Sequence, residues 1–267
     1  MANQKKPAEP VKKPFIQGTL TDERTWKSAL GVFGMLLLAI FMSFLVSSMM
    51  NFDQALLRVL LNCVVEVLIL WIFFNNASGA GAEAVARGEI LYQRKERGLN
   101  VAESEIRLCY HPLKGFFNAF IASIPVLIFA IIMAFTASRQ TTSFGVLPSW
   151  MSVYTRRSEV GAALTAYTAN TGMSFNDFIR LIVRVCIMPF VSMVGAENRD
   201  GMLLLERLSP LVVLLPMAAY GIGYMQGQTL RSRVHTEIAQ NNRRRARKER
   251  KARQKRAARP KGPEQLN

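Results

Sequence analysis

Three polar residues recur at a four-residue spacing inside an apolar stretch of the chain. Arg58, Asn62 and Glu66 interrupt residues 55–74, which are otherwise almost entirely hydrophobic. Residues four apart lie on adjacent turns of one helix face, so the three predict a polar stripe. An ionisable group inside a membrane helix is costly and usually functional. Glu66 is therefore interpreted either as a proton or cation site or as a carboxylate hydrogen-bonded across a helix bundle.

The second candidate for chemistry is a dense basic run near the C-terminus. Residues 231–267 hold 14 Lys and Arg against three acidic residues, in a chain whose formal net charge is +16. Ten of the 14 are arginines, whose guanidinium groups form paired hydrogen bonds with phosphate. Interspersed alanines favour a helix, and the run lacks aromatic residues for base stacking. The candidate phosphate or lipid contacts are Arg243, Arg244, Arg245, Arg247, Lys248, Arg250, Lys251 and Arg253.

Three interpretations of this basic run stay open. The segment can bind ribosomal or other structured RNA, since arginine-rich segments fold on RNA. It can bind anionic lipid headgroups, which attract basic residues near a membrane surface. It can also serve only to keep the C-terminus on the cytoplasmic side of the membrane.

Residues for catalysis or metal binding do not form a recognisable pattern. The two histidines, His111 and His235, are far apart, and the motifs of zinc proteases, serine hydrolases, P-loops and dinucleotide sites are absent. The three cysteines, Cys63, Cys109 and Cys186, have neither metal-like spacing nor an even number for disulfide pairing. We expect no enzyme activity, no catalytic residue, no metal and no cofactor.

The composition places these residues in a multispanning membrane protein. Half of the 267 residues are hydrophobic and 19% are charged, against roughly 25% in a typical soluble domain. These values exclude a disordered chain and a disulfide-rich secreted scaffold. A helix of about 20 apolar residues crosses a bilayer. Four stretches reach that length: 29–50, 55–74, 116–137 and 209–228. We predict an all-α integral membrane protein with four transmembrane helices.

A fifth apolar stretch, Phe178–Gly195, raises the alternative of five spans. It contains Arg180, Arg184 and Pro189. If this stretch crossed, the basic tail would lie outside the cell, against the tendency of basic loops to stay inside. We therefore expect an interfacial helix, with its apolar face in lipid and its two arginines toward the headgroups.

The distribution of basic residues also predicts the topology. Residues 1–28 and 76–115 each hold six Lys and Arg, and the connection between the first two spans holds none. Both termini and the 76–115 loop are expected to be cytoplasmic. The lipid bilayer is then the first partner of the chain, and a bacterial plasma membrane is the expected location.

The 76–115 loop is expected to contain two helices, 80–97 and 101–109, and to act as a structural connector or as a docking element for a protein partner. Gly223 and Gly227 match the small-x-x-x-small pattern that allows helices to pack closely, within the chain or in a homo-oligomer.

Together these features divide the chain into seven segments. The segments are a flexible basic N-terminus (1–28), a transmembrane hairpin (29–75), a cytoplasmic helical loop (76–115), the third span (116–137), an external or re-entrant segment with the interfacial helix (138–208), the last span (209–230) and a cytoplasmic, helical, arginine-rich tail (231–267).

Two functions follow as hypotheses. The first is a non-enzymatic membrane accessory or scaffold protein whose tail binds phosphate-rich partners. The second is a small transporter or channel subunit built around Glu66, which would be oligomeric because four spans are few for a complete transporter.

Overall fold

The computed structural model describes residues 13–50, 52, 54–138, 149–169, 175–195 and 198–257. The regular secondary structure of these residues is helical. The helices are α1 (Thr25–Met49), α2 (Ala55–Glu96), α3 (Glu103–Arg107), α4 (Lys114–Thr136), a 3-10 helix (Ser149–Arg156), α5 (Gly161–Ala169), α6 (Phe175–Cys186), α7 (Met188–Val194) and α8 (Arg199–Ala257). The outer parts of the predicted terminal segments, 1–12 and 258–267, lie outside the described residues, as do 139–148.

Four of these helices are long and apolar enough to cross a membrane. They are α1, α2, α4 and α8, and each covers all, or all but one, of the residues of one predicted span, so the prediction of four helices of spanning length is confirmed. Within the described residues, the stretch Phe178–Gly195 forms two short helices and no single helix of spanning length. It is divided at Ile187 into α6 and α7, of 12 and 7 residues, and even the longer rises only about 18 Å, short of the roughly 30 Å hydrocarbon core.

Two of the spanning helices extend well beyond the predicted boundaries. Helix α2 does not end near residue 75 but continues to Glu96, so the first predicted loop helix is the end of α2. Helix α8 starts at Arg199 instead of residue 209 and continues into the tail as far as Ala257. Hydropathy marks only the apolar part of a helix, whereas Ala, Glu and Arg continue it in polar surroundings. The second predicted loop helix is shortened to α3.

Helix α8 packs along α2 and α4, and glycines allow the close approach. A Cβ added at Gly223 would collide with the backbone of Phe74, and one at Gly227 would collide with the backbone of Gly81. The glycine face that the sequence assigned to packing or to an oligomer is therefore occupied by α2 of the same chain. The hydrophobic core lies between these helices and includes Phe73, Ala77 and Met217.

The N-terminal segment packs on the bundle where a flexible lead-in was expected. The N–H of Ile16 donates to the carbonyl of Gly88 at 3.2 Å, and the N–H of Gly18 donates to that of Tyr110 at 2.9 Å. Tyr110 stacks on Tyr224 with ring centroids 5.5 Å apart. We call this end of the bundle the tail end, because the tail emerges there. The end where α2 and α8 begin is the opposite end.

Candidate functional site

Glu66 lies in the wall of a cavity inside the bundle. The cavity is formed by α1, α2, α4, α8 and the α6–α7 pair, and offers about 40 Å³ to the centres of water-sized molecules. That volume suits a few waters or a small ion, since one water needs roughly 10–15 Å³ by this measure. Ser43, Ile187 and Pro216 are among the other lining residues, and Glu66 is the one Asp, Glu, Lys, Arg or His on the wall.

The carboxylate of Glu66 has no protein partner in the part of the chain that the structure describes. No hydrogen bond or ion pair reaches it, although its side chain is only partly exposed. The hydroxyl of Ser43, which also lines the cavity, donates to the carbonyl of Ile40 at 2.9 Å. Among the described residues nothing neutralises this carboxylate, which faces a partly open cavity.

The other two members of the predicted stripe are separate from this cavity. Asn62 is fully buried, and its amide donates to the carbonyl of Arg58 at 2.9 Å. The guanidinium of Arg58 lies against Gly195, whose φ of +80° lets α7 end there without a side chain in the way. Among the described residues, Asn62 Oδ1 accepts no hydrogen bond and Arg58 Nε donates none. The structure thus places Arg58 against the end of α7 and leaves Glu66 as the one member of the stripe on the cavity.

Arg180 and Arg184 point to a buried carboxylate instead of toward headgroups. Arg184 donates to Glu206 Oε1 from Nη2 at 2.6 Å and from Nε at 2.9 Å. Arg180 Nε lies 3.1 Å from the same oxygen, and its Nη2 donates to the carbonyl of Ser138 at 3.2 Å. The side chain of Glu206 is 2% exposed, and a buried carboxylate is stable only when it is paired and hydrogen-bonded. Arg180 and Arg184 therefore face Glu206, and not the headgroups as expected from the sequence.

Glu206 was missed from the sequence because it precedes the predicted last span. The available signal was the spacing of Arg180 and Arg184, which puts both on one face of α6 and calls for an acidic partner. The pairing connects α6 to α8 at the opposite end of the bundle.

A similar cluster holds α8 to α2 at the tail end. Glu89 Oε2 accepts from Arg231 Nε at 3.1 Å, and Glu89 Oε1 lies 2.7 Å from His235 Nε2. The side chains of Glu89 and His235 are 6% and 7% exposed. Sequence reasoning treated Arg231 and His235 as part of a solvated tail. Their four-residue spacing on one helix face was the signal that they share a partner.

A buried ion pair also joins the N-terminal segment to α4. Lys114 Nζ contacts Asp22 and donates to the carbonyl of Arg107 at 3.0 Å. Burial raises the pKa of Asp22, but the hydrogen bond and the charge of Lys114 lower it more, aided by hydrogen bonds from Thr25 and the Arg24 amide. The net pKa of Asp22 lies below its usual value of 3.8, so this carboxyl stays ionised at neutral pH.

The eight candidate phosphate contacts of the tail are all exposed and helical. They lie in the last turns of α8 between residues 243 and 253. Successive helical residues are about 100° apart around the axis, so the charges surround the helix on every side. None of the eight forms an ion pair with a residue that the structure describes. The positive charge is therefore available to an external anion.

Neither a metal cluster nor a similar protein gives further information on the site. Within the described ranges, no group of three or more His, Cys, Asp or Glu is placed to hold a metal ion. The chain matches no known family model, no curated protein and no solved structure.

Proposed function

We propose that the protein is a non-enzymatic membrane accessory or scaffold protein whose arginine-rich helix binds a phosphate-rich partner outside the bilayer. The observation that carries the proposal is the continuity of α8. One helix of 59 residues runs from the bundle into the tail and ends with exposed basic side chains. The tail is thus attached to the membrane bundle through helix and not through a loose linker.

The charge density of this helix matches that of a nucleic acid. Residues 243–257 contain ten Lys and Arg and one acidic residue. At a rise of 1.5 Å per residue this is about one positive charge per 2 Å of helix. Duplex DNA has one phosphate per roughly 1.7 Å of axis, and binding releases its condensed counterions. Such a helix gains affinity from charge alone.

The geometry of α8 favours RNA over lipid as this partner. The apolar stretch of the last span ends at Gln228, so Arg243 lies roughly 20 Å further along the helix. A continuous helix curves only gently and does not fold back on the membrane. Lipid headgroups attract charges within a Debye length, about 8 Å at physiological salt. Ribosomal or other structured RNA can reach the helix at that distance, whereas the membrane surface cannot.

The remaining parts of the proposal concern location and further partners. The cluster of basic residues at the tail end supports a cytoplasmic placement of both termini in a bacterial plasma membrane. Ile90, Leu99 and Leu113, which are 51%, 56% and 55% exposed, are the large apolar positions of the 76–115 loop that remain for a protein partner. Much of the rest of this loop, including Tyr110, is already packed inside the chain, which supports its role as a connector.

The test compares the full-length protein in nanodiscs of neutral lipid with two tail variants. In the first, the eight basic residues between 243 and 253 are replaced by Gln. In the second, the matched control, the six arginines among them are replaced by Lys, which keeps the charge. We expect sedimentation with ribosomes for the natural chain, a weaker interaction for the Lys variant, and loss for the Gln variant.

Salt dependence and lipid binding then decide between the partners. The logarithm of the RNA affinity should fall linearly with the logarithm of salt concentration, with a smaller slope in the Gln variant. Equal sedimentation of all three proteins with ribosomes overturns the proposal. Tail-dependent binding to anionic liposomes without any RNA binding replaces RNA by lipid, and binding to neither leaves the tail as a topology anchor.

A second candidate function is a small oligomeric transporter or channel subunit. The observation that favours it is the unpaired carboxylate of Glu66 on a cavity inside the bundle. Glu66→Gln should abolish ion flux in reconstituted liposomes while leaving RNA binding unchanged. The variant with eight Gln residues between 243 and 253 should have the reverse effect, because it keeps Arg231 and His235 on Glu89.

A further inference from the structure

We infer that the cavity beside Glu66 is a binding site for a monovalent alkali cation such as Na⁺. The inference rests on the second candidate function only where transport is concerned, since binding requires the cavity alone. It is independent of what the tail binds.

The first argument is the charge of the cavity wall. A carboxylate inside a membrane bundle is costly unless a cation or hydrogen bonds compensate it. No described residue supplies either to Glu66, and the nearest hydroxyl, that of Ser43, is bonded to its own helix. The structural carboxylates of Glu89 and Glu206 each have two cationic or hydrogen-bonding partners. Glu66 differs from both.

The second argument is the helix break at Ile187, which lines the cavity. Helix α6 ends at Cys186. The N–H of Phe190 donates to the carbonyl of Ile187 at 3.0 Å, and not to the carbonyl of Cys186. Pro189 has no N–H for the carbonyl of Val185. The last carbonyls of α6 therefore lack their helical donors, and the C-terminal end of a helix carries partial negative charge. Cys186 also lines the cavity.

The third argument comes from the opposite wall, where α8 contains Pro216. Proline has no N–H, so the carbonyl of Val212 loses its usual donor four residues later. Both Val212 and Pro216 line the cavity. Broken helices with free carbonyl oxygens near the middle of the membrane are the way in which many transporters coordinate Na⁺.

The set of oxygens selects the kind of ion. One carboxylate and neutral carbonyls supply a single formal negative charge, which balances a monovalent cation. Ca²⁺ sites usually use several carboxylates among six to eight oxygen ligands. The cavity offers about 40 Å³ to the centres of water-sized molecules, which is enough for an ion with one or two waters.

The experiment measures binding of ²²Na⁺ to the full-length protein in nanodiscs, with choline replacing Na⁺ at constant ionic strength. We expect saturable binding of one Na⁺ per chain and a higher Tm in Na⁺ than in choline. Glu66→Gln should abolish both effects. Glu83→Gln is the matched control, because this carboxylate is on the same helix and its side chain is 75% exposed. It should bind Na⁺ like the natural chain.

Pro216→Ala tests the carbonyl ligand separately from the charge. The new N–H would take the Val212 carbonyl back into the helix, so Na⁺ affinity should fall by about tenfold, the equivalent of one ligand lost. This variant adds a helical hydrogen bond, so it also reports on the site if Glu66→Gln does not fold. Unchanged affinity in Pro216→Ala removes Val212 from the proposed site.

Several outcomes would overturn the inference. They are no saturable Na⁺ binding by the natural chain, equal binding by Glu66→Gln, and binding of Ca²⁺ in preference to Na⁺. A Tm that responds to pH but not to Na⁺ would show that Glu66 binds only a proton. Flux in liposomes is measured separately: Na⁺ binding without flux removes transport and keeps the site, whereas flux without Na⁺ dependence keeps transport and removes the site.

Discussion

Carboxylates at the two ends of the bundle have ion-pair partners, whereas the carboxylate in its middle has none among the described residues. At the opposite end, Glu206 is held by Arg180 and Arg184, and at the tail end Glu89 is held by Arg231 and His235. In the middle, Glu66 has no partner among the described residues. The two paired carboxylates connect α8 to α6 and to α2. Burial of a carboxylate is thus not by itself a sign of function, and the half-buried Glu66, without a partner among the described residues, is the better candidate.

The largest effect is expected for Glu206→Gln. Removing the charge takes the shared anion from two guanidinium groups of low exposure, of which Arg180 keeps the longer ion pair with Asp177 at 3.6 Å. Breaking a buried ion pair from one side costs about 3–5 kcal/mol. Denaturant unfolding in detergent micelles measures the change in the free energy of unfolding. A loss below about 1 kcal/mol would show that solvent already screens this cluster, and the contrast with Glu66 would then weaken.

A smaller loss is expected for Glu89→Gln. The side chain of Arg231 is 31% exposed, so it can turn to solvent when the carboxylate is neutralised. We expect a loss of about 1–3 kcal/mol in the same unfolding measurement. The tail variant with eight Gln residues is the control, since its exposed side chains should not change the stability. A loss larger than that of Glu206→Gln would reverse the ranking of the two ends.

The pair between Asp22 and Lys114 predicts acid sensitivity. Because the folded-state pKa of Asp22 is below 3.8, its stabilising contribution is present above about pH 4 and is lost as the pH falls through the folded-state pKa. At neutral pH, Asp22→Asn should be less stable than the natural chain by about 1 kcal/mol. The difference should shrink when the unfolding is repeated below pH 4. A difference independent of pH would mean that packing, and not charge, explains the loss.

The smallest effect on stability is expected for Glu66→Gln. The change removes an unpaired charge from the membrane interior and breaks no protein contact. Its unfolding free energy without Na⁺ should match or slightly exceed that of the natural chain. A loss comparable to that of Glu206→Gln would show that Glu66 is a structural carboxylate like the other two, and the comparison would fail.

Prediction from the sequence was successful where a property of one helix was enough. The four helices of spanning length follow from apolar length, and the break of 178–195 into two short helices accords with the proline that it contains. The glycine pair Gly223 and Gly227 was recognised, but the sequence left its partner open. The orientation of Arg180 and Arg184 was wrong because the choice between headgroups and Glu206 depends on a helix far along the chain.

Long apolar helices and a basic helical extension can be predicted from the sequence, because hydrophobic length and charge density are additive properties of neighbouring residues. The pairing of the carboxylates cannot, because it depends on the tertiary structure. The partners of Glu206 and Glu89 are 22 and 142 or more residues away, and their distances depend on how α2, α6 and α8 pack. The same packing placed Glu66 on a cavity with Ile187 and Pro216 and kept Arg58 and Asn62 away from it.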